Sequence, residues 1–356
     1  MFCIAAFIVF VVLGIFSVRY RTLAKKAWYC VGRKLTMRPC EIGFKEEAKD
    51  ALIGRFILTK PRLARFLDRW IEVFATVFVV LSVWSLLLVL QSGLFLFVYD
   101  TCNPKNVESC SLGGESCGVS TGQQTFLAAV KNFEVLNWTK EETLLMVDTF
   151  ARIPDRFKRW EPEMFIDEQA TYYRPFDPQK QTALEVIDPG CKFCAKLFRN
   201  MKVAGFEDVY NVTYIPYAIP DPTTPSGYKF PNSTLVIAYL EAVKQYPLQQ
   251  EIPADWQILE RLFVGKTENG ASYQEQFNLL YSAEESEVVL LRWLKDIGYS
   301  EAQIEKIQDT SQSAEVQNII RKQNEIVEDD IRTIKIPTIM FDGRRYDRVI
   351  GEDKLK

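Results

Sequence analysis

Two long apolar runs open the chain, and shorter apolar runs separated by turn residues follow. Phe2 to Val18 is apolar apart from Ser17. The second run, Ile71 to Tyr99, contains the stretch Val77 to Leu90 and has Trp70 and Tyr99 as flanking aromatics. Both read as membrane-spanning helices, over 1–18 and 71–99. Residues 100–121 are rich in Gly, Ser and Asn, which predicts a linker. Residues 122–151 read as helical, with a break near Asn137. Pro154, Pro162, Pro175 and Pro178 then punctuate an extended approach to a buried strand, Thr182 to Ile187. Asp188-Pro189-Gly190 is a turn, and a crossover helix over about 191–204 leads to a second strand at Val212 to Ile219. From about 233 to 330 the periodicity is helical. Two last strands fall at 337–341 and about 345–350, joined by the hairpin signal Asp342-Gly343.

Charge gives these elements an orientation. Residues 19–70 hold 14 Lys/Arg against 5 Asp/Glu, although the whole chain carries a net charge of −3. A basic segment between two membrane helices belongs on the cytoplasmic side. The expectation is a two-pass cell-membrane protein with residues 100–356 outside the cytoplasm. Residues 45–58 mix basic and apolar side chains, as a helix lying on anionic lipid does. The overall charge gives no nucleic-acid signature.

The chain has no histidine. That excludes His-based general acid–base catalysis, Ser-His-Asp and Cys-His nucleophiles, and His-ligated zinc. The remaining candidates for chemistry are the eight cysteines, at 3, 30, 40, 102, 110, 117, 191 and 194. Cys30 and Cys40 fall in the cytoplasmic segment, where thiols stay reduced. Cys102, Cys110 and Cys117 lie in the linker at irregular spacing. They read as one disulfide and one leftover thiol, either a loop staple or a relay that exchanges with Cys191 and Cys194. No ligand set for a metal stands out, and no cofactor is implied.

Cys191-Lys192-Phe193-Cys194 closes a strand and opens a helix. At a helix start the unpaired N–H groups and the helix dipole favour a thiolate. Cys191, nearer the start, is the candidate nucleophile and the more exposed sulfur. Cys194, one turn on, can resolve a mixed disulfide. Lys192 adds positive charge beside the pair. Near the C-terminus, Pro337 interrupts the run Thr333 to Phe341, and a proline inside a strand marks an edge or a special site.

A CxxC between strand and helix, about 100 helical residues, and then Ile336-Pro337-Thr338 before a hairpin together resemble the thioredoxin-like superfamily, in its DsbA-like branch. The resemblance covers roughly residues 165–356, leaving 100–164 as a cysteine-containing linker with helices. It implies an α/β fold with a large helical insert at about 233–330. It also implies a cis-proline at Pro337 beside the cysteines. Ile336 would pair its backbone with an extended substrate, and Lys192 and Phe193 would border it. A buried acid at Glu185 would take the proton of Cys194, and its loss should slow turnover most at low pH. Glu185 could equally be an outward-facing strand residue. Lys-Phe between the cysteines departs from the Pro-His of the best-known members.

The function implied is a membrane-tethered thiol–disulfide oxidoreductase. Its partners would be cysteine-containing exported proteins, a redox partner that resets the CxxC, and membrane lipid. The competing reading is a non-catalytic binding or assembly module in which the cysteines form a structural disulfide.

Overall fold

The computed structural model describes residues 2–16, 18–36, 43, 47–48, 61–107, 115–119, 126–167 and 169–356. The chain forms two compact units, Met1–Gln91 and Ser92–Lys356. In the first, helices α1 (Phe2–Phe16) and α2 (Val18–Leu35) precede the long helix α3 (Pro61–Tyr99), whose end enters the second unit. α1 and α2 double back on each other. Cys3, Ala6 and Phe10 pack on Leu23, Ala27 and Cys30, and a disulfide joins Cys3 to Cys30.

This hairpin corrects the expected first membrane span. α1 has 15 residues and reaches about 22 Å, short of a hydrocarbon core of about 30 Å. Its disulfide also sets Cys3 beside Cys30, so the two cannot stand on opposite faces of a bilayer, and Cys30 is not a reduced thiol. Among the described residues one helix is long and apolar enough to cross a membrane, Val73–Tyr99. Its 27 residues reach about 40 Å. Leu81, Trp84, Leu87 and Leu90 on it are exposed, an apolar surface that water does not favour. Most of residues 45–58, expected as a lipid-bound helix, lies outside the described residues, as do Cys40 and Cys110.

The second unit begins with a two-residue strand, β1 (Cys117–Gly118), and helices α4 (Phe126–Lys131) and α5 (Val135–Ala151). The break between these helices falls at Phe133, in the left-handed region at φ 57°, and not near Asn137, which lies inside α5. The core elements then follow: β2 (Gln181–Ile187), α6 (Lys192–Ala204) and β3 (Tyr210–Pro216). Six further helices come next: α7 (Ser233–Lys244), α8 (Ala254–Val264), α9 (Tyr273–Leu279), α10 (Ala283–Ile297), α11 (Glu301–Ser311) and α12 (Ala314–Glu325). Short strands β4 (Lys335–Ile336), β5 (Thr338–Phe341) and β6 (Arg344–Tyr346) close the sequence of elements.

β2 is central. It pairs parallel with β3 and antiparallel with β5, and β6 completes the sheet order β3–β2–β5–β6. A strand flanked on both sides and covered on both faces reads as a near-continuous apolar run, which here Thr182 and Glu185 interrupt. Thr182 to Ile187 are all buried. β3 starts two residues before the expected strand and stops at Pro216, which has no N–H to continue a ladder. Gly205 ends α6 in the left-handed conformation at φ 66°, as helix C-termini commonly require. The β2–α6–β3 unit, the antiparallel pair and the helices inserted between them form the thioredoxin-like arrangement expected from the sequence. Trp256, Tyr239 and Leu240 of the insert are fully buried in the same core as β2. Asn211 and Asn232 fall in sequons but are buried. Their amides donate to Asp177 O and Lys180 O, and to Phe277 O and Tyr281 O.

Candidate functional site: a three-cysteine cluster beside a cis-proline

The site is built where β2 ends. Asp188 is buried and accepts three hydrogen bonds: from Gly190 N at 2.8 Å, Ser233 Oγ at 2.5 Å and Ile219 N at 2.7 Å. These fold the 188–190 turn against β3 and α7. Burial pushes the Asp188 carboxyl up to about 6, against the opposing pull of those bonds. Phe230 packs so close to Gly190 that a Cβ there would lie 2.4 Å from the Phe230 Cβ, so no other residue fits the turn. From α9, Gln274 Nε2 donates to Pro189 O at 2.7 Å and to Cys191 O at 3.1 Å, and Asn278 Nδ2 donates to Gly190 O at 2.7 Å. Every carbonyl from 189 to 191 is thereby held from outside the turn.

Cys191 is the N-cap of α6, with φ −78° and ψ 115°, and its carbonyl accepts from Cys194 N at 3.0 Å. Lys192 is exposed on the first turn, with Nζ 5.1 Å from the Phe193 ring centre. The two residues expected to border a substrate thus stack on each other. The Ile336–Pro337 peptide bond is cis. It sets the Ile336 carbonyl oxygen 3.6 Å from Cys191 Sγ. Cys191, Cys194, Ile336 and Pro337 therefore belong to one cluster.

The partner of Cys191 is a linker cysteine, the pairing that the relay reading allows and the loop-staple reading does not. The disulfide runs to Cys117, 74 residues away, and not to Cys194. Cys191 is consequently fully buried, not the more exposed sulfur, and Cys117 is not left to pair within the linker. Cys102 is itself disulfide-bonded. Cys194 is a free thiol and fully buried. β1 pairs antiparallel with β4, with Cys117 opposite Ile336 and Gly118 opposite Lys335.

Glu185 lies inward on β2 and is 2% exposed, which disposes of the outward-facing reading. Its Oε1 has no hydrogen-bond partner in the protein. Burial drives its carboxyl well above the ordinary range. Burial, and then the Glu185 charge, drive the Cys194 thiol up as well. Both shifts favour the protonated form, so each of the two buried groups tends to keep its own proton. Burial also reverses the expected pH order. A protonated carboxyl accepts no proton, so any acceptor role for Glu185 would be confined to pH above its raised pKa.

Sequence reasoning missed the roles of Asp188, Gln274 and Asn278 in holding the turn. Asp188 read as turn punctuation. The two amides, four apart on α9, carry a helix-face signal that points nowhere without the fold.

No protein family model and no curated protein matches the sequence. Among solved structures, the chain is similar to a thioredoxin-like oxidoreductase from Silicibacter pomeroyi DSS-3, at 15% identity over 55% of this chain and 93% of that one, with a TM-score of 0.37. It is similar to MdbA, a thiol-disulfide oxidoreductase from Corynebacterium matruchotii, at 14% identity over 54% and 89%, with a TM-score of 0.39. The thiol-disulfide exchange protein alpha-DsbA2 from Wolbachia pipientis is similar at 13% identity over 54% and 87%, with a TM-score of 0.37. At such scores the fold assignment rests on the strand order and the cis-proline loop.

Proposed function

We propose that the chain is a membrane-tethered thiol–disulfide oxidoreductase working through Cys191 and Cys194. One observation carries this reading: Cys191 is linked to a distant cysteine while Cys194 waits one helical turn away as a thiol. A staple needs two cysteines, whereas an exchange site needs a third beside the bond. Cys191 would attack or be attacked by a substrate sulfur, and Cys194 would resolve the mixed disulfide. Glu185 would take the Cys194 proton. The Ile336 backbone, presented by the cis-proline, would align the substrate chain. The helix at Val73–Tyr99 would anchor the protein. The basic residues before it support an orientation with the 100–356 portion outside the cytoplasm. Substrates are then exported cysteine-containing proteins, and a membrane or envelope redox partner resets the pair.

The competing reading, a binding module with a structural Cys117–Cys191 bond, makes a different forecast. A structural bond resists the glutathione range, while an exchanging one equilibrates within it. The experiment is titration of the purified full-length protein, in detergent, against glutathione buffers, with alkylation and mass spectrometry. Reduction of Cys117–Cys191 within that range, with insulin reduction that disappears in Cys191→Ser, supports the oxidoreductase. A bond that persists across the range rejects it. Side of the membrane is read separately. Phe133 is exposed, so a Phe133→Cys variant should label with an impermeant maleimide in intact cells. Labelling only after lysis reverses the orientation.

A further inference from the structure

The segment linked to Cys191 sits as a bound peptide sits. Cys117 faces Ile336 in antiparallel register, and Val119 N donates to Ile334 O at 3.0 Å. Lys229 Nζ donates to Gly118 O at 3.4 Å. At the other end, Val349 N donates to Glu115 O at 3.0 Å, and Glu115 pairs with Lys196 of α6 at 2.6 Å. All these contacts but the last fall on the segment's backbone. Ser116 Oγ is buried with no hydrogen-bond partner, and Gly118 has no side chain. Apart from the Glu115 ion pair and the Val119 side chain packed on the core, the segment is held as extended chain plus one sulfur, the two features that any extended cysteine peptide offers.

We infer that residues 115–119 are a tethered occupant of the substrate groove, and that Cys117 competes with outside cysteine peptides for Cys191. This rests on the exchange reading above. The closed form holds the Cys117–Cys191 bond and a Cys194 thiol. To open, Cys194 gives its proton to Glu185 and its thiolate attacks Cys191 Sγ. The Cys191–Cys194 bond forms and the Cys117–Cys191 bond breaks. Cys117 leaves as a thiolate and is protonated in turn. One thiol and one disulfide stand on each side, so no outside oxidant or reductant is consumed. The open form frees the Ile336 edge and presents an oxidised CxxC to an incoming thiol. The tether therefore sets a threshold that only a substrate able to displace an internal strand crosses.

The test uses the full-length protein in detergent and a synthetic Glu-Ser-Cys-Gly-Val peptide, supplied as a thiol/disulfide mixture. Cys194→Ala holds any adduct on Cys191 for mass spectrometry. An occupant tethered at about 1 mM outcompetes peptide at about 10 μM roughly a hundredfold. The peptide concentration for half-occupancy of Cys191 should therefore fall about a hundredfold on adding Cys117→Ala. Val119→Pro keeps Cys117 and removes the donor to Ile334 O. It should shift half-occupancy the same way by about tenfold, and it serves if Cys117→Ala does not fold. Equal half-occupancy with and without Cys117, or no shift with Val119→Pro, overturns the inference while leaving exchange intact. Failure of Cys191 to capture peptide in any background instead overturns the exchange reading itself.

Discussion

The chain contains two intrachain disulfides whose partners are both described, and they differ in what surrounds them. Cys3–Cys30 joins two helices, 27 residues apart, among Ala6, Phe10 and Ala27. Cys117–Cys191 joins a strand segment to a helix start. Around it stand a buried thiol at Cys194, a buried acid at Glu185, and the Ile336 carbonyl, which precedes the cis-proline, 3.6 Å from the sulfur. The first has what a staple needs, apolar cover and a closed loop. The second has the neighbours that the proposed exchange would use: a free sulfur at Cys194, a buried carboxyl at Glu185, and the Ile336 backbone beside the bond. Chemistry follows from these neighbours and not from the bond.

Much of the second environment was legible in sequence. β2 reads as a buried strand because its run is mostly apolar, Glu185 being the one charged residue in it, and Asp188-Pro189-Gly190 ends it. Pro337 stands out because a proline inside an apolar run needs a reason. The pairing of Cys117 was not legible. It depends on a contact across 74 residues that no local pattern encodes. The α1 span was misread for a related reason. Hydropathy registers apolar length but not a turn that folds the run back onto Ala27 and Cys30. The holding of the 189–191 carbonyls by Gln274 and Asn278 was invisible because amides at helical spacing are usually solvated.

The sharpest break of the comparison removes one cysteine from each bond. Cys191→Ser should lower insulin reduction by about a thousandfold or more. Cys3→Ser should leave it within about twofold of the native rate, while costing the hairpin about 3 kcal/mol of stability. Thermal unfolding of each variant, beside the activity assay, reads both arms. If Cys3→Ser abolished activity with the fold intact, the two bonds would not differ in kind.

Removing the acid should be next in size. Glu185→Gln keeps volume and hydrogen-bonding capacity but cannot take a proton. Where the native carboxyl is protonated the two proteins should turn over alike. As pH rises through its raised pKa the native rate should pull ahead, towards about a hundredfold. A gap that is widest at low pH, or absent throughout, would remove Glu185 from proton transfer.

Asp188→Asn tests the turn that holds Cys191 in place. The amide keeps one acceptor oxygen, so Ile219 N or the Gly190–Ser233 pair loses its partner, at about 2 kcal/mol. The pH dependence has a definite sign. The native carboxyl titrates at about 6 against an ordinary 3.8. Below 3.8 both folded and unfolded chains hold the proton, and its stabilising share is complete. That share is lost as pH climbs through about 6, because the unfolded chain releases the proton more readily. Denaturant unfolding from pH 3 to 7 should show this decline in the native protein and a shallower one in the variant. Parallel curves would mean that the Asp188 carboxyl titrates alike in the folded and unfolded chain.

The smallest effect should come from the rim of the groove. Lys196 and Glu115 form the one side-chain ion pair that ties the 115–119 segment to α6, at 2.6 Å, and their side chains are 45% and 47% exposed. Water and salt screen such a pair, so it is worth about 0.5 kcal/mol. Lys196→Ala should therefore loosen the segment only about twofold. The peptide concentration for half-occupancy of Cys191 in the Cys194→Ala background should drop by that factor at low salt. The difference should vanish by about 1 M salt, where the screening length falls to about 3 Å. The same substitution should leave the Cys3–Cys30 hairpin untouched. A twofold change that persists at high salt would mean that the aliphatic stem of Lys196, not its charge, packs the segment down. A change of tenfold or more would mean that the segment is held by its rim, and that the backbone ladder to Ile334 and Ile336 contributes less than its geometry implies.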